Sequence, residues 1–97
     1  MITHIVLLRL KAEVTDVEIT TALDHVRALQ DTIPGIIDVQ VGKNMSGYNQ
    51  GYTHGFIMQF VDTEHLKAYT PHHAHKVVSD ELQRISQKII DFDLENR

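Results

Sequence analysis

The chain has 97 residues and no cysteine, and nine Lys and Arg against thirteen Asp and Glu give it a formal charge of −4. This length predicts one domain, residues 1–97, with a modest core, and the lack of cysteine excludes disulfides and thiolate chemistry. The positive charges are scattered among acids, which argues against nucleic acid as a partner. The apolar run near the N-terminus is too short for a signal peptide or a membrane span, so we expect a cytoplasmic protein that does not contact a membrane.

The first half of the chain predicts a strand, a helix and a second strand. Residues 3–10, THIVLLRL, are β-branched and aliphatic and predict the first strand. The sequence TDVE at 15–18 is a capping box, and apolar residues at helical spacing follow it until Pro34 ends the helix. Residues 36–42 alternate with period two and predict the second strand, and the loop over 43–52 has the turn residues of a long hairpin connection.

The second half predicts one more strand, two helices and a last strand. The third strand covers 53–61, and a short helix over 63–69 ends near Pro71, which stops or kinks it. A longer helix follows, with apolar residues at helical spacing from Val77 to the neighbourhood of Ile89. The chain closes with KIIDFDL, a fourth strand with a polar tail.

The βαββαβ order predicts an α+β, ferredoxin-like domain, in which one four-stranded antiparallel sheet carries helices on one face. Alternation along a strand assigns each side chain to one face of the sheet. In the first strand, one face has His4, Val6 and Leu8 and the other has Ile5, Leu7 and Arg9. Both faces are substantially apolar, yet the helices cover only one, so we expect a homodimer formed through the other sheet face.

Three histidines, His72, His73 and His75, lie within four positions of the segment KAYTPHHAHKVV. A metal site is one interpretation, because His72 and His75 have i, i+3 spacing on a helix. A third ligand is hard to find, since the strands of His4 and His54 begin at opposite ends of an antiparallel sheet, and no HExxH pattern occurs. We therefore predict no metal site.

Acid–base chemistry is the second interpretation of these histidines. An imidazole can take and return a proton near neutral pH, and a phenol such as Tyr69 can donate a hydrogen bond to a carbonyl oxygen that gains negative charge. Tyr69 and His75 lie on either side of Pro71, so helix geometry does not fix their distance. A purely structural role, in which the histidines bond to nearby backbone groups, is the third interpretation.

The segments THIVLLRLK, IPGIIDVQVGKN, GYTHGFIMQFVD, AYTPHHAHKVV and IIDFD together resemble the stress-responsive α/β-barrel domain family, in order and over essentially the whole chain. The resemblance implies a ferredoxin-like monomer whose dimer closes two sheets into an α/β barrel. It also implies a pocket between the sheet and the helices of each monomer. One plant member of the family closes a linear polyketide by aldol condensation without a cofactor.

The resemblance also implies roles for individual residues. His75 corresponds to the general base and acid of that plant member, and Tyr69 corresponds to the residue that orients the carbonyl. His4 and His54 correspond to two further pocket histidines. Phe56 and Met58 are core residues that would also line the pocket. His72, the last member of the predicted site, would brace the start of the helix. The family's usual His-Pro-Ala-His has His73 in place of the proline here.

We therefore predict a homodimer that holds a small apolar or carbonyl-bearing ligand and has cyclase-like or lyase-like activity without a cofactor. The alternative is a non-catalytic stress-response or interaction protein whose histidines are structural. The related dimeric-barrel monooxygenases match the chain less well, because the resemblance to the first family extends throughout.

Overall fold

The computed structural model describes residues 1–96. It contains strands β1 (Ile2–Leu10), β2 (Ile36–Lys43), β3 (Tyr52–Phe60) and β4 (Ser86–Glu95). They form one sheet in the order β2-β3-β1-β4, and each neighbouring pair is antiparallel. The predicted ferredoxin-like sheet is thus confirmed.

The helices are α1 (Asp16–Ala28), α2 (Thr63–Tyr69) and α3 (His73–Ile85). The predicted capping box at the start of α1 is present: the Thr15 hydroxyl accepts from the Glu18 N–H, and the Glu18 carboxylate accepts from the Thr15 N–H. The helical spacing of apolar residues continues beyond α1, but there the chain tightens into a 3₁₀ turn over Leu29–Asp31. Within residues 1–96, no helix has the length and apolar character needed to cross a membrane.

The prediction that the last helix continues to the neighbourhood of Ile89 was wrong, because α3 ends at Ile85. Ser86 already has an extended backbone (φ −111°, ψ 140°) and pairs with Leu10 of β1. Ile89 pairs with Leu8 and packs against the core from β4. An apolar residue four positions after Ile85 satisfies the helical period and also the inward position of a strand, so spacing alone did not distinguish the two.

We call the sheet face covered by the helices the inner face. It includes Val6, Phe56, Met58 and Phe60, each at most 5% exposed. The helices contribute apolar side chains to the same core, namely Ala22, Leu23 and Val26 from α1 and Val78, Leu82 and Ile85 from α3. The face assignments predicted from alternation are therefore confirmed for this side of the sheet.

The opposite side, which we call the outer face, is also apolar but is not covered by any part of residues 1–96. Ile57 is 39% exposed and Phe92 is 54% exposed. In the register of the sheet, Ile5 lies between these two residues, and Leu7 pairs with Ile90. A large apolar surface that this chain leaves open to solvent is typical of an interface.

Candidate active site in the cleft between sheet and helices

A cleft of about 730 Å³ lies between the inner face and the helices α2 and α3. The strands β1 and β4 form its floor, which includes His4, Val6 and Asp93. The helices form its other wall, to which α2 contributes Tyr69 and α3 contributes His75. The volume is within the usual range of small-molecule sites.

The turn between α2 and α3 brings Tyr69 and His75 together. Tyr69 is the last residue of α2 and is buried, and Pro71 lies in the break before α3 begins. His75 is in the first turn of α3, and its ring centroid lies 4.2 Å from that of Tyr69. The sequence could not fix this distance, because the two residues belong to different helices.

A backbone hydrogen bond determines which nitrogen of His75 is free. Nδ1 of His75 lies 2.8 Å from the carbonyl oxygen of Thr70. A carbonyl oxygen only accepts, so Nδ1 carries the proton and donates it. In neutral His75, Nε2 is therefore unprotonated, which is the state that a general base requires.

Tyr69 lies in the cleft as a neutral hydrogen-bond donor. Burial raises the pKa of its phenol well above the usual range, and the negative charges of Asp91 and Asp93 raise it further. No group within residues 1–96 forms a hydrogen bond with its hydroxyl, which leaves the hydroxyl available to a ligand. A buried phenol that stays protonated can stabilise an oxyanion without itself losing a proton.

His4 and Asp93 form a second polar pair at the same end of the cleft. They are directly opposite each other in the β1–β4 ladder, and His4 Nδ1 lies 2.5 Å from Asp93 Oδ1. The His4 ring is buried and makes edge contacts with the rings of Phe56, Phe60 and Tyr69. Asp93 thus fixes the orientation of a histidine that contacts the candidate tyrosine.

Sequence reasoning did not assign Asp91 and Asp93, two exposed residues of the edge strand β4, to the site. Both line the cleft. The signal was present in the alternation of KIIDFDL: Ile90, Phe92 and Leu94 belong together on one face, which places the two aspartates on the other. Because β4 is the edge strand, both side chains remain open to solvent while they border the cleft.

The structure brings only some of the predicted site residues together. His4, Phe56, Tyr69 and His75 line the cleft, whereas Met58 is fully buried in the core. His54, Met58 and His72 are not among the residues that line it.

His54 lies at the other end of the β1–β3 ladder from His4. It pairs with Leu8, about 13 Å from His4 along an extended strand. Partial burial lowers the pKa of His54, and the nearby charge of Lys43 adds to that shift. A substrate held by both His4 and His54 would therefore have to reach well beyond the Tyr69–His75 pair.

His72 and His73 form the start of α3. His72 is the N-cap, and its Nδ1 accepts from the Ala74 N–H at 3.1 Å. His73 is the first helical residue, where the backbone N–H lacks an intrahelical partner and proline is favoured. Replacement of the family proline by His73 is therefore compatible with this helix start.

The cleft does not assemble a set of metal ligands from the described chain. Across residues 1–96, no three His, Asp or Glu side chains converge in a way that could hold an ion. His4 and Asp93 are bonded to each other, and His75 is bonded to a backbone carbonyl.

Sheet order and the cleft between sheet and helices define a class, the ferredoxin-like domains in which helices cover one face of the sheet and leave the other free. The chain belongs to the stress responsive A/B barrel domain family, whose model matches residues 2–96. It is 29% identical over 92 residues to olivetolic acid cyclase of Cannabis sativa. This match covers 93% of this chain and 91% of the cyclase.

Solved structures show the same fold. A dimeric ferredoxin-like protein of unknown function from Jannaschia is 26% identical, with a TM-score of 0.87 and 98% of both chains covered. The hydroxynitrile lyase of Passiflora edulis has a TM-score of 0.88 and covers 96% of this chain and 90% of its own, but at 18% identity it supports the fold alone.

Proposed function

We propose that this protein is a cofactor-independent enzyme of the cyclase or lyase type, which acts on a small carbonyl-bearing compound in the cleft. The observation that carries the proposal is the contact between Tyr69 and His75, combined with the Thr70 hydrogen bond that leaves Nε2 of His75 unprotonated. The similarity to olivetolic acid cyclase supports the same type of chemistry.

The proposed reaction begins with removal of a proton next to a carbonyl. Nε2 of His75 takes the proton, and the electron pair of the broken C–H bond moves into an enolate, whose oxygen accepts a hydrogen bond from Tyr69. The enolate carbon then forms a bond with a second carbonyl carbon. That carbonyl oxygen takes the proton back from His75, so the enzyme returns to its starting state. His4, held by Asp93, would position the substrate.

We further propose that two copies associate through their outer faces. The apolar residues of that face, among them Ile57 and Phe92, are exposed in a single chain, and burial of such a surface favours association. The Jannaschia relative, similar in fold over nearly its whole length, is described as dimeric.

A second candidate function is a non-catalytic stress-response or interaction protein. The observation that favours it is that His72 and His75 bond to the backbone around the start of α3. In this case the histidines shape the helix start, and the cleft has no reactive group.

Proton exchange distinguishes the two candidates without knowledge of the natural substrate. Straight-chain methyl ketones in deuterated buffer lose their α-protons when a base removes them, and NMR measures the rate. We expect wild-type protein to accelerate this exchange, His75→Ala to reduce the acceleration by about 100-fold or more, and Tyr69→Phe to reduce it by about 100-fold. The control is His25→Ala, because His25 lies on α1 and does not line the cleft.

Thermal unfolding tests the non-catalytic candidate. A His75 that is mainly structural loses its Thr70 hydrogen bond when replaced by alanine, and the midpoint should then fall by several degrees. No acceleration by the wild type, together with that fall, would support the non-catalytic candidate.

A further inference from the structure

Among the residues that line the cleft, Ser86 has a hydroxyl that is fully buried and still has no hydrogen-bond partner. Ser86 is 7% exposed, and its Oγ is the only fully buried side-chain nitrogen or oxygen within residues 1–96 that lacks a partner. A buried hydroxyl without a partner costs folding free energy, so most such groups in proteins have one. The exception here occurs at a cavity wall.

Ser86 lies at the opposite end of the cleft from the Tyr69–His75 pair. In the β1–β4 ladder, Ser86 pairs with Leu10, whereas Asp93 pairs with His4. His4 and Leu10 are about 20 Å apart along an extended strand, and His75 and Ser86 are about 16 Å apart along the helical rise of α3. The cleft is therefore elongated, and we call the part beside Ser86 its distal end.

The walls between the two ends are largely apolar, with Ser79, Gln83 and Asp91 as polar neighbours. Val78 and Leu82 from α3, Val26 from α1 and Ile89 from β4 line this middle part. None of them offers a hydrogen bond to a bound molecule. A ligand that fills the cleft thus has the Tyr69–His75 pair at one end and largely apolar side chains along its length. At the other end it lies beside Ser86, Gln87 and Lys88, and the Ser86 hydroxyl is the one that is buried without a partner.

We infer that Ser86 is a specificity-determining residue that hydrogen-bonds the far end of an elongated ligand. The inference rests on the proposed function for the reacting end and adds the ligand class: a carbonyl compound with an apolar chain or ring and a hydroxyl or second carbonyl remote from the reacting one. A turn about the single Cα–Cβ bond of Ser86 moves Oγ between staggered positions. Such a turn lets the hydroxyl meet a ligand group in the cleft.

Pairs of probe ligands test this inference. Each pair is a straight-chain methyl ketone and the same ketone with a terminal hydroxyl, and the pairs increase in chain length. Calorimetric titration of the wild type should find a length at which the hydroxy ketone binds about fivefold more tightly than its parent, the value of one net hydrogen bond. Ser86→Ala should remove that preference, so that the hydroxy ketone and its parent bind with equal affinity.

The matched control is Ser79→Ala. Ser79 also lines the cleft, but its Oγ already accepts a hydrogen bond from Gln83 Nε2 at 3.0 Å. This variant should keep the preference for the hydroxy ketone. Equal affinities for the two ketones at every chain length, or a preference that survives Ser86→Ala, would overturn the inference.

Thermal unfolding without ligand provides an independent readout. Ser86→Ala should melt at the same temperature as the wild type or higher, because no hydrogen bond is lost and a buried unpartnered hydroxyl is removed. If the thermal midpoint of Ser86→Ala were several degrees lower than that of the wild type, the hydroxyl would have a structural hydrogen-bond partner, and the inference would be overturned. Failure of the proposed function has a different signature: the hydroxyl preference persists, but His75→Ala leaves proton exchange unchanged.

Discussion

At the edge strand β4, the two faces of the sheet reverse the polarity expected for a soluble antiparallel sheet, although the rest of the inner face is largely apolar and buried. Such a sheet commonly buries apolar side chains against its helices and exposes polar ones. Here Asp91 and Asp93 of β4 lie on the inner face, beside the cleft, while Ile90 and Phe92 are exposed on the outer face. The comparison teaches that the inner face is polar only beside the cleft, and that the outer face leaves apolar side chains exposed in one chain.

We expect the largest effect from a charged substitution on the outer face. Phe92→Asp places a charge in the proposed interface, so we expect dimers to dissociate into monomers, measured by multi-angle light scattering. Val17→Asp is the matched control, because Val17 is exposed on α1, away from the sheet, and it should remain dimeric. A wild-type protein that is monomeric at micromolar concentration would contradict the proposed dimer.

Substitutions at two adjacent residues of β3 compare how much each face of the sheet contributes to the free energy of unfolding. Met58 is fully buried under the helices, so Met58→Ala should lower the free energy of unfolding by about 2–5 kcal/mol in urea titrations. Ile57 points to the outer face, and Ile57→Ala should cost less and only at protein concentrations at which dimers form. Equal losses at every concentration would show that this chain covers both faces by itself.

Within the cleft, Asp93→Asn tests whether the carboxylate positions His4. The variant keeps a hydrogen-bond acceptor but loses its charge, and charge-assisted bonds are roughly twice as strong as neutral ones. We expect about tenfold slower ketone exchange, within the range that single positioned groups contribute. Asp91→Asn is the control, since Asp91 lies on the same face two positions away and does not bond to His4. An identical loss in both variants would indicate a general effect of charge.

The smallest effect concerns His54, on the inner face away from the Tyr69–His75 pair. Its pKa in the folded protein is lowered below the ordinary value of 6.5, chiefly by burial. As the pH falls through about 6.5, the unfolded chain binds the proton first, so stability decreases until the lower pKa of the folded state is passed. His54→Gln should make the thermal midpoint less dependent on pH in this window. An unchanged slope would show that other groups cause it.

The sequence predicted which residues belong to the same face, since the period of a strand is a local property. His4, Val6 and Leu8 were assigned to one face and are all buried there. The capping box at Thr15 and the break at Pro71 are local too, and both were identified correctly. The helix end at Ile85 was not, because pairing between β4 and Leu10 of β1 decides it.

What the sequence by itself determined is therefore the order of the elements, the assignment of side chains to faces, and the apolar character of both faces. Only the tertiary structure decided that Tyr69 contacts His75, that Asp93 bonds to His4, that His54 lies elsewhere, and that Ser86 has no partner. The physical reason is that these relations depend on how a helix packs on a sheet and on the register between strands distant in the chain, and neither is encoded in the local periodicity of either segment.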